Sequence, residues 1–234
     1  MADSIGGSTP LSLAGTAPAA PLGYYSWTLG QGARDPLYIL VVIYIFFPYF
    51  SNVVVGDPVR GQALVGYVNT VAGITMALTV PFLGAIADKT GRLKPWLLSS
   101  TLAVSVCTFG LWWVTPQTVQ QGGGLYPVLG ALILMNVAFA YTEVFHNAML
   151  PRIAPANKAG LISGLAFALG NLGGVSLMLL VLFAFALPGT VSLSWIADAP
   201  WLGIDQATHQ QDRIVGPIAA VWLLLFTLPV LLFT

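Results

Sequence analysis

The sequence predicts an all-α membrane protein with six transmembrane helices, and three observations support this fold class. The chain has 234 residues, of which 57% are hydrophobic and only 7% are charged, whereas an average soluble domain is roughly 25% charged. The charges cluster between long uncharged stretches, each sufficient for the ~20 residues that a helix needs to cross a bilayer. These stretches do not alternate polar with apolar residues, which excludes the strands of a membrane barrel.

Two regions follow from this pattern. Residues 1–35 are predicted to form a flexible N-terminal tail, because they are rich in Ser, Gly, Ala, Thr and Pro and contain no sustained apolar stretch. The tail lacks the basic start and the apolar run of a secretory signal, so we expect it to stay attached. Residues 36–234 are predicted to form a six-helix bundle, with spans at about 37–55, 64–87, 96–115, 126–149, 161–187 and 218–233.

Charges and polar segments mark the ends of these spans in turn. Asp35 and Asp57 flank the first span, and Asp88 ends the second. The third ends at an uncharged segment, residues 116–125, beyond which the fourth begins; the fifth ends at a polar loop, residues 188–216, beyond which the sixth begins. Three spans plus three spans is the unit of nested inverted repeats in large transporters, so we expect a 3+3 inverted repeat.

The basic residues predict the orientation of the bundle. Six spans place both termini on the same side of the membrane, and cytoplasmic loops carry an excess of Lys and Arg. An N-in arrangement puts six bases in the cytoplasm and two outside, namely Arg34, Lys89, Arg92, Lys94, Arg152 and Lys158 against Arg60 and Arg213. We therefore predict a multi-pass protein with both termini inside, in a bacterial inner membrane.

Several function classes are excluded by composition. The net charge is zero, so the chain has no basic field that would hold nucleic acid. A single cysteine, Cys107, excludes a disulfide framework, and two histidines, His146 and His209, do not form a metal site by themselves. The sequence contains no nucleophile–base pairing, phosphate loop or metal motif, so we expect neither an enzyme nor a cofactor.

The turn between the second and third spans contains a spaced motif. Its members are Gly84, Asp88, Lys89, Gly91 and Arg92. Gly84 permits close approach of another backbone, Gly91 permits a left-handed turn, and the bases anchor the loop among lipid headgroups. A turn that only sets topology would explain the bases, but not the two glycines together with the acid.

This motif resembles the signature of the major facilitator superfamily, G-x-x-x-D-[RK]-x-G-R-[RK], with Leu93 departing from the last position. The resemblance implies the N-terminal six-helix half of that fold, in which this loop acts as a conformational latch. Residues 27–50, 88–96, 144–151 and 163–174 further resemble the vacuole-effluxer-like branch, whose fungal members export amino acids. That branch usually carries an acid at the entrance to its first helix, where Asp35 is the candidate substitute here.

The fourth span carries a polar stripe. Asn136, Ala140, Glu143 and Asn147 recur at spacings of four, three and four, and His146 follows Glu143 by three, so all five share one helical face. A carboxylate inside a span costs about 2.5–3.5 kcal/mol. Glu143 is therefore expected to face the interior of the bundle.

Two interpretations of Glu143 remain open. It is either a protonatable coupling or substrate group, with His146 as a pH-sensitive partner and Asn147 as a hydrogen-bonding one, or it forms a structural ion pair with Arg92 or Arg152. The full set of substrate or coupling candidates is Glu143, His146, Asn147, Asn136, Asn171, Asn69, Arg34 and Asp35.

Glycines and prolines predict local features of other spans. The pairs Gly160/Gly164 and Gly170/Gly174 have the four-residue spacing that lets another helix approach closely. Pro48 and Pro81 lie inside the first and second spans, where each removes a backbone donor and favours a kink.

The leading functional prediction is a secondary active transporter of small solutes that works by alternating access. Its predicted partners are membrane lipid, a small-molecule substrate and a second six-helix bundle, either another copy of the chain or a separate C-terminal half. The alternative is a non-transporting membrane interaction subunit or a half-sized relic.

Overall fold

A computed structural model describes residues 10–120 and 123–234, except for the side chain of Asp88. This part of the chain is helical and contains no β-strand. Six of its helices are long and apolar enough to cross a membrane. They are α1 (Pro21–Val54), α2 (Pro58–Thr90), α3 (Leu93–Gly110), α4 (Leu125–Ile153), α5 (Ala159–Val181) and α6 (Val215–Phe233). The predicted all-α fold with six transmembrane helices is confirmed.

Short elements extend or connect these helices. A 3-10 turn, Leu111–Trp113, ends α3, and a π-helical turn, Leu182–Ala186, extends α5. The remaining pieces lie in the connections and are Pro116–Gln120, Trp201–Gly203, Gln206–Thr208 and Gln210–Arg213.

The predicted boundary between tail and bundle at residue 35 was wrong. The first membrane helix begins at Pro21 and not near residue 37, so residues 21–35 are helical. Trp27 and Ala33 on this segment are buried in the bundle, and the charged Arg34 is buried with them. The sequence prediction ended the apolar span at the charged residues, because it assumed that charges lie outside the membrane helix. In the structure Arg34 belongs to the helix and is buried in the bundle. Residues 1–9 of the predicted tail lie outside the described residues.

The residues just before α1 run along the turn between α4 and α5. The Ala14 N–H donates to the Pro151 carbonyl and the Ala19 N–H to the Ile153 carbonyl, both at 2.9 Å. The Ala156 N–H returns a bond of 3.0 Å to the Leu11 carbonyl. These bonds place the start of the described chain at the same end of the bundle as the α4–α5 turn.

The two predicted kinks have different outcomes. In α1, helical geometry breaks at Ile45, where φ is −120°, three residues before Pro48, which has no N–H to donate to the Tyr44 carbonyl. Segments with π-helical bonding, Tyr38–Tyr44 and Phe50–Val54, flank this break. In α2 the helix continues without interruption through Pro81.

The helix pairing has the pattern of an inverted repeat. Contacts join α1 to α5 and α6, join α4 to α2 and α3, and join α3 to α6. This set of contacts is symmetric between the two halves. It stays the same when α1 is exchanged with α4, α2 with α5 and α3 with α6. The expected 3+3 arrangement is therefore visible in the packing of the described helices.

The two predicted glycine pairs on α5 differ. A Cβ added at Gly170 would lie 2.8 Å from Asp35 Cγ, and one added at Gly174 would overlap the side chain of Ile39. This pair lets α1 and α5 pack closely. A Cβ at Gly160 or Gly164 would meet no described atom within 4 Å, so the prediction of close approach holds for the second pair and was wrong for the first within the described chain.

Candidate functional site

A cavity of about 660 Å³ lies between α1, α2, α4 and α5. Six of the eight predicted substrate or coupling candidates line it, namely Arg34, Asp35, Asn69, Asn136, Glu143 and Asn171. They come from four helices far apart in sequence, and they meet because α1 packs on α5 while α4 packs on α2. The cavity also contains Ala140, the small residue of the predicted polar stripe.

Gln31 on α1 organises the two charges of that helix. Its amide nitrogen donates to both carboxylate oxygens of Asp35, at 2.9 and 3.1 Å, and its amide oxygen accepts from Arg34 Nη2 at 2.6 Å. The Arg34 side chain is only 3% exposed, and its Nε and Nη1 atoms are buried without a hydrogen-bond partner among the described residues. Sequence reasoning did not select Gln31, although its spacing of three and four residues from these charges places all three on one helical face.

Glu143 presents the accessible carboxylate of the cavity. Its side chain is exposed to the cavity and forms no ion pair within 4 Å with any described residue. The predicted ion pair with Arg92 or Arg152 is therefore absent from the described part of the chain. Arg34 lines the same cavity with the opposite charge.

Three asparagines add amide groups to the lining. Asn136 Nδ2 donates to the Leu132 carbonyl and Asn171 Nδ2 to the Phe167 carbonyl, each at 2.9 Å and one turn back along its own helix. Each bond uses one of the two amide N–H groups and leaves the amide oxygen as an acceptor for a ligand. Asn69 contributes a third amide from α2.

Aromatic side chains form the apolar part of the lining. Tyr38 and Phe139 stack across α1 and α4, with ring centroids 5.5 Å apart and an interplanar angle of 23°. Phe167 lines the cavity from α5. The sequence prediction missed these residues, although Tyr38 follows Arg34 by one turn and Phe139 precedes Glu143 by one turn.

His146 lies away from the cavity, between α1 and α4. Its ring is 1% exposed and stacks on Trp27 with centroids 4.4 Å apart and planes at 1°. Trp27 Nε1 donates to the His146 carbonyl at 2.7 Å, and His146 Nε2 lies 2.8 Å from the Trp27 carbonyl. Asn147 is exposed and is not part of the cavity lining. The structure thus separates both residues from the cavity that Glu143 lines.

The turn between α2 and α3 has the conformation that its glycine predicts. Gly91 ends α2 with φ of +66°, and its N–H donates to the Ala87 carbonyl at 3.0 Å. Lys89 and Arg92 are exposed, and the side chain of Asp88 lies outside the described residues. A Cβ at Gly84 would meet no described atom within 4 Å, so the close approach expected there is not made within the described chain.

Comparison with known proteins identifies the family. A family profile described as Major Facilitator Superfamily matches residues 19–178. A protein of Bacillus subtilis (strain 168), named "Uncharacterized MFS-type transporter YxiO", is 23% identical over 209 residues. That alignment covers 88% of the chain and 45% of the relative, so the chain spans about half the length of this relative. The narrower resemblance to the vacuole-effluxer-like branch stays a prediction.

Proposed function

Since the chain belongs to the Major Facilitator Superfamily, we propose that it works as one six-helix half of a secondary active transporter of small solutes. The observation that carries this proposal is the cavity in which Arg34, Asp35 and Glu143 meet inside the membrane-spanning bundle. Ionisable groups at this depth are expensive and mark substrate or ion pathways in membrane proteins. Family membership also favours transport over catalysis, and we assign no enzymatic reaction to the chain.

A second six-helix bundle completes the proposed transporter. The alignment of the chain with its transporter relative covers only 45% of that relative. Of the six spans, α2 is the least buried within the described chain, and it exposes large apolar side chains that include Tyr67, Leu78 and Phe82. A second bundle against this side would cover those side chains and close the cavity. It is either another copy of the chain or a separate C-terminal half, which makes this chain the N-terminal half.

The proposed orientation has both termini in the cytoplasm. Arg34 is no longer counted among the basic residues of the loops, because it lies inside α1 and is buried. In or beside the α2–α3 and α4–α5 turns there are then five bases, namely Lys89, Arg92, Lys94, Arg152 and Lys158, whereas Arg60 lies at the start of α2 and Arg213 lies just before the start of α6. Five bases against two still favour these turns as cytoplasmic. We place the protein in a bacterial inner membrane.

Alternating access would move the two bundles against each other around the cavity. In this scheme Glu143 contacts substrate or couples its movement to an ion, together with Arg34, Asp35, Asn69, Asn136 and Asn171. The turn that contains Gly84, Asp88, Lys89, Gly91 and Arg92 acts as the conformational latch, engaging the second bundle in one of the two states.

Reconstituted transport tests the proposal. The chain, co-expressed with its second bundle, is placed in liposomes, and uptake of a panel of labelled solutes is measured with and without proton and sodium gradients. We expect uptake of at least one solute, and we expect Glu143→Gln to abolish it or remove its dependence on the gradient. The matched control is Asp198→Asn, which removes an acid from an exposed loop outside the cavity. Uptake of no solute under any gradient would contradict the proposal.

The second candidate is a non-transporting interaction subunit or a half-sized relic, which agrees with an alignment that covers only 45% of the transporter relative. Cross-linking in native membranes separates the two. A functional half yields a complex that contains a second six-helix bundle, an interaction subunit yields a complex with a protein of another fold, and a relic yields only the monomer.

A further inference from the structure

We propose that the cavity binds a solute with a positive charge, an organic ammonium whose charged end meets Glu143 and whose apolar body lies against Tyr38 and Phe139. The proposal rests on the proposed transport function, because it assigns the class of solute to the same cavity. Charge, accessibility, hydrogen-bond acceptors and ring positions each contribute to this assignment.

The accessible charge in the cavity is negative. Its lining carries one cation, Arg34, and two acids, Asp35 and Glu143, which leaves an excess of one negative charge. The three groups are not equally accessible, since Arg34 is 3% exposed whereas Glu143 is exposed and Asp35 is partly exposed. The two unpartnered nitrogens of Arg34 are themselves buried. An entering solute therefore meets the carboxylate before the guanidinium.

The hydrogen-bonding groups favour a donor in the solute. Both oxygens of Asp35 already accept from Gln31, whereas Glu143 forms no ion pair with any residue in the described ranges. Asn136 and Asn171 each use one amide N–H on their own helix and leave the amide oxygen to accept. The carboxylate of Glu143 and these two amide oxygens are acceptors that match the N–H groups of an ammonium.

The aromatic rings complete the cation site. Phe139 precedes Glu143 by one helical turn and stacks on Tyr38, so the rings and the carboxylate share one side of the cavity. Ring faces attract cations within about 6 Å of the centroid. The volume of about 660 Å³ lies within the range of roughly 300–1,000 Å³ that is typical of small-molecule sites. A cation with a body the size of one aromatic ring fits this space.

Three probes of similar size and different charge test the assignment. They are 2-phenylethylammonium, phenylacetamide and phenylacetate, which are cationic, neutral and anionic at neutral pH. Affinity is measured by equilibrium dialysis on the full 234-residue chain in lipid nanodiscs. Since one accessible charge contact in a site of this kind is worth about tenfold or more in affinity, we expect the cation to bind about tenfold tighter than either other probe.

Variants identify the residues responsible. Glu143→Gln is expected to remove the preference for the cation over the neutral probe, while Asp198→Asn leaves it unchanged. Phe139→Leu, which keeps an apolar side chain but removes the ring face, is expected to weaken cation binding about threefold to tenfold. The ratio of cation to neutral affinity is compared within each variant, so a change in the amount of folded protein does not affect the result.

Four results would overturn the assignment: tighter binding of phenylacetate, equal binding of all three probes, an unchanged preference in Glu143→Gln, or binding of none of the probes. These results would not contradict the transport proposal. A chain that transports a neutral or anionic solute in liposomes is still a transporter, but of another solute class. A chain that binds the cation but moves nothing retains the cation site and loses the transport proposal.

Discussion

Replacing Gly61 by alanine tests whether α1 and α2 cross at backbone contact. A Cβ at Gly61 would lie 2.5 Å from Ser51 Cα and 2.8 Å from the Ser51 carbonyl carbon. Ordinary carbon–carbon contacts are about 3.5–4.0 Å, so the two helices would have to separate by roughly 1 Å. The atoms in the way belong to the backbone of α1, which does not rotate aside as a long side chain does.

The matched control is Gly66→Ala on the same helix, where a Cβ would meet no described atom within 4 Å. Both substitutions replace glycine in a helix and gain roughly 0.5–1 kcal/mol of unfolding free energy from the reduced freedom of the unfolded chain. The difference between the two variants is therefore the cost of overpacking alone, about 1–3 kcal/mol. For a chain of this length each kcal/mol shifts the thermal midpoint by about 2–4 °C.

The assay is thermal unfolding of both variants and the parent chain in one detergent at one heating rate, followed by tryptophan fluorescence. We expect Gly61→Ala to unfold roughly 4–8 °C below Gly66→Ala, for an overpacking cost in the middle of that range. Equal midpoints for the two variants would refute the backbone contact between α1 and α2.

Three further changes have defined outcomes. Trp27→Phe removes the donor to the buried His146 carbonyl and is expected to lower the unfolding free energy by about 1–3 kcal/mol. Its control in the same thermal assay is Trp195→Phe, at an exposed indole, which should change the thermal midpoint little. Gly170→Ala displaces the Asp35 carboxylate from Gln31, so it should lower the thermal midpoint, whereas Gly164→Ala in open space should not. Asp57→Ala removes the cap that accepts from the N–H groups of Val59 and Arg60 at 3.0 and 3.2 Å, and should cost about 1 kcal/mol; Asp57→Asn, which keeps an acceptor, should restore most of the midpoint.

The number and type of the membrane helices could be predicted because burial in lipid requires long apolar segments. Their ends could not be predicted by the same reasoning, because helices continue beyond the apolar region. The start of α2 shows this: the apolar span begins near residue 64, but the helix begins at Pro58 with Asp57 as its cap. Asp followed by Pro is itself a readable start signal, and it would have placed this boundary correctly.

The polar members of the cavity were predictable because each is an unusual residue within a span. Glu143 and Asn136 fall on one face of α4 by spacing alone, and the structure places both in the lining. His146 shares that spacing but turns toward Trp27. Residues that share a helical face by spacing can still differ in what they contact: some line a cavity and others contact a neighbouring helix. Which of the two applies to His146 depends on the position of α1, and the contact between Trp27 and His146 joins residues more than one hundred positions apart in the sequence.

Arg34 and Asp35, because of which the sequence prediction placed the start of α1 too late, are two of the residues that line the cavity. A segment is judged too polar to cross a membrane when its charged residues are assumed to face lipid, and Arg34 and Asp35 fail that test. In the structure Gln31 bonds to both, and Gly170 on α5 leaves room for the Asp35 carboxylate. This local neutralisation reduces the cost of placing charge inside a span. An Arg–Asp pair with a glutamine on the same helical face is therefore compatible with a transmembrane helix when small residues on a neighbouring helix can accommodate it.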